Sequence, residues 1–168
     1  MSKDAAPRPL WAPWRMTFIR GPRRKSCFFC DYAKSPARDG ENLVLLRGRS
    51  CFIVMNRFPY NNGHLMVAPL VHTGDPGRLK AGTRAELFDL LVTAQKTLDR
   101  ALRPEGYNIG INLGRVAGAG VPGHVHIHIV PRWNGDTNFM PVLGLTKVIP
   151  EALRNLHSRL QKALPKGR

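Results

Sequence analysis

The chain has 168 residues, a length typical of one domain with a single core, and its 43% hydrophobic and 22% charged residues indicate a globular protein. No apolar run approaches the roughly 18–20 residues of a membrane span, and prolines and charges interrupt the start of the chain, so we expect no membrane insertion and a cytoplasmic location. The net charge of +15 predicts attraction to polyanions such as nucleotides, polyphosphates or nucleic acid, or equally only a soluble basic surface.

The first 26 residues are rich in Pro and Arg and contain Trp11 and Trp14. This composition predicts an arm that packs its tryptophans on the body or on a second subunit, although the rings could instead stack on a base. Cys27 and Cys30 then form a C-x-x-C pair, which is typical of half a metal site or of a redox pair. The odd total of three cysteines argues against a disulfide framework.

Hydrophobic runs and turn residues define the elements of the body. Four strands are predicted ahead of the histidine-rich segment, at 43–46, 52–55, 64–69 and 107–113. Two helices are predicted, at 83–102 and about 150–164, and Thr83 with Glu86 forms a capping box for the first. Cys51 opens an apolar run and is expected in the core. The resulting order, β-β-β-α-β-β-α, predicts an α+β domain in which a helix packs on one face of an antiparallel sheet.

The most informative segment is a fifth predicted strand, at 124–130, where three histidines alternate with apolar residues. Because side chains alternate across a strand, His124, His126 and His128 should share one face. Imidazole is suited to proton transfer, nucleophilic attack and metal binding near neutral pH. An edge strand that turns polar residues to water is the alternative interpretation.

A glycine-rich loop at 114–123 leads directly into this strand. Glycines in 118–123 would let backbone N–H groups approach phosphate oxygens, and Arg115 could add a cation, although a flexible hairpin loop has the same composition. A metal-dependent hydrolase or cupin could also carry His-x-His. Such sites need acidic ligands, and Asp136 is the nearest carboxylate in the sequence.

The run GHVHIHIVPRW resembles the signature of the histidine triad nucleotide hydrolases and transferases. Two further segments are similar to the fragile histidine triad branch, namely Asn56-Arg57-x-Pro59-x-x-x-Gly63-His64-x-x-Val67-x-Pro69 and Pro131-Arg132 followed by Gly135-Asp136. The opening LWAPWR, the C-x-x-C pair and VPRWNGDTNF resemble bacterial dinucleoside polyphosphate phosphorylases. The matching segments span about residues 27–139.

This resemblance implies a HIT-like fold, with about five antiparallel strands, a long helix and a C-terminal helix. It also implies a homodimer whose two sheets form one continuous sheet. We expect residues 1–26 to form the basic arm, residues 27–140 the histidine triad domain and residues 141–168 a C-terminal helical extension.

The resemblance also implies roles for individual residues. His126 matches the nucleophile, which attacks the α-phosphate and forms a covalent nucleotidyl-histidine that water or phosphate resolves. His128 matches the residue that contacts the phosphate and the leaving group, and His64 matches a fourth histidine that supports the nucleophile or the phosphate. Asn56 matches a residue that binds the ribose hydroxyls, and Asn112 lies near a polar nucleotide-binding position.

One segment departs from the family pattern. Gly120-Val121-Pro122 stands where Gln-Ser/Thr-Val is usual, so the side chain that would touch the bridging oxygen is missing. We therefore expect Gly120 and Val121 to bind the nucleotide through their backbone. Leaving-group protonation must come from His128, the nucleotide, water or backbone donors, and the acceptor, water or phosphate, stays open.

A zinc site is expected beside the catalytic strand. Some family members and the related galactose-1-phosphate uridylyltransferases combine a C-x-x-C pair with a histidine after the third strand and the first triad histidine. The matching residues here are Cys27, Cys30, His72 and His124, enough for a closed, structural zinc site. The alternative is that the cysteines are small core residues and His72 is a surface residue.

Two functions are compatible with these features. The favoured one is an enzyme that cleaves a phosphoanhydride in a dinucleoside polyphosphate or a related AMP conjugate, with a purine nucleotide as the bound group. The alternative is a zinc-stabilised nucleotide or nucleic-acid binding module with little catalysis. The absence of the usual Gln and Ser/Thr side chains and the basic termini favour this alternative. Nucleic acid is a possible partner under this second interpretation only.

Overall fold

The computed structural model describes residues 26–137 and 151–165, which contain four α-helices and five strands. In chain order they are α1 Phe28–Lys34, α2 Asp39–Asn42, β1 Val44–Arg47, β2 Cys51–Met55, β3 Leu65–Pro69, α3 Ala81–Leu102, β4 Gly106–Ile111, β5 Ile127–Arg132 and α4 Leu153–Ala163. The predicted α+β fold with two main helices is confirmed. Trp11 and Trp14 of the predicted arm lie outside the described residues.

The five strands form one sheet in the order β1-β2-β3-β5-β4, and every neighbouring pair is antiparallel. β5 therefore lies inside the sheet, between β3 and β4, which rules out the edge-strand interpretation of the histidine segment. None of the described helices combines the length and the hydropathy that a bilayer span requires.

Alternating side chains divide the sheet into two buried faces. On one face, Ile53 and Val67 join Ile127 in a core that α3 and α4 cover with leucines. On the other face, Phe52 and Met66 pack with residues of α1. The sheet is therefore apolar on both sides, because a helical layer covers the first face and α1 with its flanking turns covers part of the second.

Helix α1 was not predicted from the sequence. It is only seven residues long and begins directly after Cys27, so it offers too little periodicity to be recognised. Its ring of Phe29 is fully buried and lies edge-on to Phe52 of β2, with 6.2 Å between the ring centroids. This contact docks the C-x-x-C segment on the sheet.

The predicted capping box at the start of α3 is wrong. The helix begins two residues earlier, at Ala81, and Lys80 at its N-cap makes no side-chain capping bond. Glu86 instead accepts hydrogen bonds from the backbone N–H groups of Arg49 and Ser50, and from the Ser50 hydroxyl. Burial acts to raise the pKa of Glu86, but these hydrogen bonds outweigh it and hold the pKa below the usual 4.5. The carboxylate thus fixes the β1–β2 connection rather than its own helix.

Candidate functional site

The three imidazoles of the histidine segment lie on the face of the sheet that α1 covers. The ring of Phe29 is 5.0 Å from His124 and 4.9 Å from His126, centroid to centroid, and the rings of His126 and His128 are 4.7 Å apart. The alternate residues Val125 and Ile127 belong to the core under α3. The common face that the alternation predicted is present, although the strand itself is shorter than predicted.

The predicted strand 124–130 begins three residues late. Ile127 is the first residue of β5 and pairs with both Val67 and Ile111, so His124 and His126 precede the ladder. They are held by other contacts, which include a hydrogen bond from the backbone N–H of Val125 to the carbonyl of Thr73.

The backbone fixes the tautomer of His126. Its Nδ1 lies 2.8 Å from the carbonyl oxygen of His124. A carbonyl can only accept, so Nδ1 carries the proton and Nε2 carries the lone pair. His126 is 5% exposed, and this burial lowers its pKa, so the imidazole is neutral at pH 7. The geometry thus supplies a neutral nitrogen nucleophile with a defined orientation.

His64 and His128 form a second, directional pair. The backbone N–H of Tyr60 donates to His64 Nδ1 over 3.0 Å, so the proton of a neutral His64 is on Nε2. That Nε2–H donates to His128 Nδ1 over 2.9 Å, which places the remaining proton of His128 on its own Nε2. The ring of Tyr60 also stacks on His64, with the centroids 4.7 Å apart and the planes 18° from parallel. His128 is thereby prepared as a hydrogen-bond donor.

Asn56 lies where β2 ends, beside His64. Its backbone N–H donates to the His64 carbonyl over 3.0 Å, and its Oδ1 accepts from the backbone N–H of Phe58 over 2.8 Å. These bonds orient the amide so that Nδ2 lies 3.3 Å from His64 Nδ1. The structure therefore brings Asn56, His64 and His128 together.

A polar network ties the β2–β3 turn to the end of β5. The amide Nδ2 of Asn61 donates to the carbonyl of Pro131 over 3.0 Å and to Asp136 Oδ2 over 2.8 Å. Arg132 donates to the same carboxylate through Nε at 2.5 Å and Nη2 at 2.8 Å. Because Tyr60 and His64 flank Asn61 in the turn, this network sets the position of the His64–His128 pair.

Cys27, Cys30, His72 and His124 converge on one point, and their Sγ and Nδ1 atoms all lie within 4.8 Å of one another. Three of the separations can be compared with a zinc site: 3.4 Å for Cys27 Sγ to His124 Nδ1, 3.2 Å for Cys30 Sγ to His72 Nδ1 and 3.6 Å for Cys30 Sγ to His124 Nδ1. Sulfur and nitrogen ligands on a tetrahedral Zn²⁺ are about 3.5 Å apart. The four residues fit such an ion in both donor type and spacing.

The protonation states of this group also suit a cation. His124 Nε2–H donates to the carbonyl of Pro69 over 2.8 Å, which turns Nδ1 toward the cysteines. Burial lowers the pKa of His124 to about 4, so the ring is neutral and able to ligate. Burial raises the pKa of Cys30, and the hydrogen bond and charge of Cys27 add to the effect, so two thiolates here require a nearby positive charge.

The remaining sequence-predicted residues lie in the glycine-rich loop and at the end of β4. In the glycine-rich loop, the N–H groups of Gly118 and Ala119 donate within the loop, to the carbonyls of Arg115 and Gly114. Gly120 is exposed, whereas Val121 packs against the core beside α1. Asn112 follows Ile111, the last residue of β4, and therefore lies just beyond the end of the ladder that pairs Ile111 with Ile127.

Sequence reasoning missed three contributors to the site. Tyr60 acts through a backbone N–H and a ring stack, for which no sequence pattern exists. Asp136 was named as the nearest carboxylate and as part of the family match, but its role as an acceptor in the turn network was not predicted. The ring of Phe29 contacts His124 and His126, and its place inside the C-x-x-C pair was the one signal that could have indicated this contact.

Comparison with known proteins gives a consistent result. A family model for the HIT domain matches residues 38–135. An AP-4-A phosphorylase from Mycobacterium tuberculosis is 38% identical over 153 residues, which cover 87% of this chain and 78% of that protein. An adenosine 5'-monophosphoramidase from Schizosaccharomyces pombe is 31% identical over 139 residues, which cover 83% of this chain and 98% of that protein.

Among solved structures, a Zn-bound histidine triad family protein from Mycobacterium smegmatis has the same fold. The TM-score is 0.65 at 25% identity, and the match covers 82% of this chain and 92% of that chain.

Proposed function

Because the chain belongs to the histidine triad (HIT) family of nucleotide-processing enzymes, we propose that it cleaves a phosphoanhydride of a dinucleoside polyphosphate through a covalent nucleotidyl-His126 intermediate. The observation that carries this proposal is the hydrogen bond from His126 Nδ1 to the His124 carbonyl, since it leaves the Nε2 lone pair for attack.

In the first step, His126 Nε2 attacks the α-phosphorus, a nitrogen–phosphorus bond forms and the bond to the bridging oxygen breaks. The imidazole becomes positively charged, and the His124 carbonyl stabilises that charge through Nδ1–H. The leaving polyphosphate takes the electron pair of the broken bond. His128, whose Nε2 carries a proton, donates a hydrogen bond to the bridging oxygen in place of the side chain that Gly120-Val121-Pro122 lacks.

In the second step, an acceptor oxygen displaces His126 from the phosphorus. With water, the product is a nucleoside monophosphate, whereas inorganic phosphate gives a nucleoside diphosphate. We favour phosphate, because the AP-4-A phosphorylase covers most of this chain at 38% identity. Diadenosine tetraphosphate would then give one ATP, which leaves in the first step, and one ADP.

Residues at the edge of the histidine cluster would bind the substrate. Asn56 would contact the ribose, and Asn112 with the backbone N–H groups of Gly120 and Val121 would contact the nucleotide and its phosphates. The net charge of +15 would attract the polyphosphate.

The resident metal is zinc in this proposal, held by Cys27, Cys30, His72 and His124. The observed ligand spacing and the Zn-bound relative from Mycobacterium smegmatis support it. Four protein ligands complete a tetrahedral shell, so the ion would be structural. Reduced cysteines at a metal also suit the cytoplasm, which is the proposed location.

A homodimer is part of the same proposal. β4 is an edge strand of the described sheet, and its residues Ile109 and Ile111, with Leu113 beyond them, are 44–48% exposed. Phe88 and Val92 of α3 are exposed at 66% and 44%. Apolar groups at an unpaired strand edge favour pairing with a second copy of the chain, which extends the sheet.

The test is incubation of the zinc-loaded protein with diadenosine tetraphosphate, with and without inorganic phosphate, followed by nucleotide chromatography. We expect ADP and ATP only when phosphate is present, and we expect adenylyl-labelled protein after an acid-free quench. His126→Asn should retain nucleotide affinity and lose both turnover and label. AMP formed equally with or without phosphate would overturn phosphorolysis, and turnover by His126→Asn would remove His126 as the nucleophile. Tight, salt-sensitive RNA binding with no label would favour a binding module.

A further inference from the structure

The proposed nucleophile lies outside the β-ladder that should fix it. Both ladders of β5 begin at Ile127, where it pairs with Val67 on one side and Ile111 on the other. His126 therefore takes part in no strand pair of the described sheet, although a reacting nitrogen must be held within a few tenths of an ångström of its productive place.

Contacts with the Cys27–Cys30–His72–His124 group provide this restraint instead. The carbonyl of His124 accepts the Nδ1–H of His126, so the residue that offers a ligand nitrogen also sets the tautomer of the nucleophile. Phe29, between the two cysteines, is fully buried and lies at almost equal distances from His124 and His126, 5.0 and 4.9 Å. The first contact comes from a ligand residue itself, and the second comes from the residue that lies between the two cysteines.

Two hydrogen bonds anchor the same segment to β3 and to the chain that follows it. His124 Nε2–H donates to the carbonyl of Pro69, the last residue of β3, and Val125 N–H donates to that of Thr73, directly after His72. The C-x-x-C segment, the chain after β3 and the histidine segment thus meet at the four ligands. Without a bound ion, the contacts between two thiols and two imidazoles are weak hydrogen bonds.

We propose that the four ligands, when they hold a metal, position His126: they fix the His124 carbonyl and the Phe29 ring, and through them the tautomer and orientation of the nucleophile. Cys27, Cys30, His72 and His124 are accordingly positioning residues for the reaction, besides any part in stability. This inference rests on the proposed role of His126 as nucleophile.

The test compares the zinc-loaded wild type with His72→Ala, which removes an exposed ligand, and with Cys30→Ser. Leu160→Ala is the control, because Leu160 is fully buried on the opposite face and its loss lowers stability without touching the ligands. Metal content, the melting temperature, kcat and KM are measured for each. Two-bond ¹H–¹⁵N correlation spectra report the imidazole tautomers, with the His126→Asn spectrum to assign His126.

In the metal-depleted variants we expect kcat to fall by about 10- to 100-fold, with KM within about twofold of wild type. The His126 signal should change from the Nδ1–H tautomer to an average of both tautomers. Leu160→Ala should keep the wild-type kcat and tautomer at a similarly lowered melting temperature. An unchanged tautomer in metal-free protein that is still folded would overturn the proposal, as would an unchanged kcat. If the wild type turns over no dinucleoside polyphosphate, the proposed substrate fails, and the spectra alone decide the positioning role.

Discussion

Asp136→Asn tests whether the link between the β2–β3 turn and the end of β5 supports the histidine cluster. The side chain of Asp136 is 7% exposed, and its Oδ2 accepts from Arg132 Nε, Asn61 Nδ2 and the backbone N–H of Trp133. Oδ1 accepts from Arg132 Nη2. Asparagine has the same shape, but it replaces one of these oxygens by an NH₂ group that faces donors.

The expected loss of stability has two parts. Arg132 is 47% exposed, so solvent screens its ion pair with Asp136, and losing the charge costs about 1 kcal/mol. Either amide orientation then points a donor at a donor in a nearly buried place, which costs about 1–3 kcal/mol. The free energy of unfolding should therefore fall by about 2–4 kcal/mol. kcat should also fall, because the substitution weakens one of the two hydrogen bonds by which Asn61 holds the turn that carries Tyr60 and His64.

Urea denaturation monitored by far-UV circular dichroism measures the change, and metal content should stay at the wild-type value. Asp89→Asn is the matched control: Asp89 is exposed on α3, and the same chemical change there should alter stability by less than about 0.5 kcal/mol. A loss below about 1 kcal/mol for Asp136→Asn, or an equal loss for both variants, would refute the reasoning about the buried acceptor.

Three other features give shorter tests. Glu86→Ala should lower stability by about 2–3 kcal/mol at pH 7, since two backbone N–H groups lose their acceptor. The hydrogen bonds lower the pKa of Glu86 in the folded protein, so the difference between wild type and variant should shrink as the pH falls through that pKa, and a difference that does not change with pH would contradict it. Burial raises the pKa of the Cys51 thiol to about 11, so iodoacetamide at pH 8 should label Cys27 and Cys30 of chelator-treated protein but spare Cys51, as peptide mass spectrometry can check. Ile109→Asp should shift the species in sedimentation velocity from dimer to monomer, whereas an intact dimer would place the interface elsewhere.

The sequence predicted most of the fold, because its signals were periodic. Alternation predicted that the three histidines share one face, and the leucines of α3 recurred at helical spacing. It failed where a tertiary contact overrides a local pattern. Glu86 looks like a capping residue, yet its carboxylate binds the distant β1–β2 connection, and His126 looks like a strand residue, yet the ladder begins at Ile127.

The candidate site likewise has one part that the sequence predicted and another part that it did not. The C-x-x-C pair and the alternating histidines were visible in the sequence itself, and the family resemblance added His64 and His72 to the residues that the structure brings together. The backbone contributions are not visible there. The Tyr60 N–H and the carbonyls of Pro69 and His124 set the tautomers of three imidazoles, and any residue type except proline can supply an N–H, while every residue supplies a carbonyl.

The strand order β1-β2-β3-β5-β4 determines the order in which the strands can pair while the ribosome synthesises the chain. β1, β2 and β3 are consecutive in sequence and can pair as a meander as soon as they emerge, together with the cysteine segment. β4 pairs only with β5 in the described sheet, so it must wait, after α3, until residues 127–132 have been synthesised. β5 then inserts between β3 and β4, which completes the sheet and brings His124, His126 and His128 into place in the same late step. The nascent chain exposes an unpaired β3 edge until that moment and is most vulnerable to misassociation there.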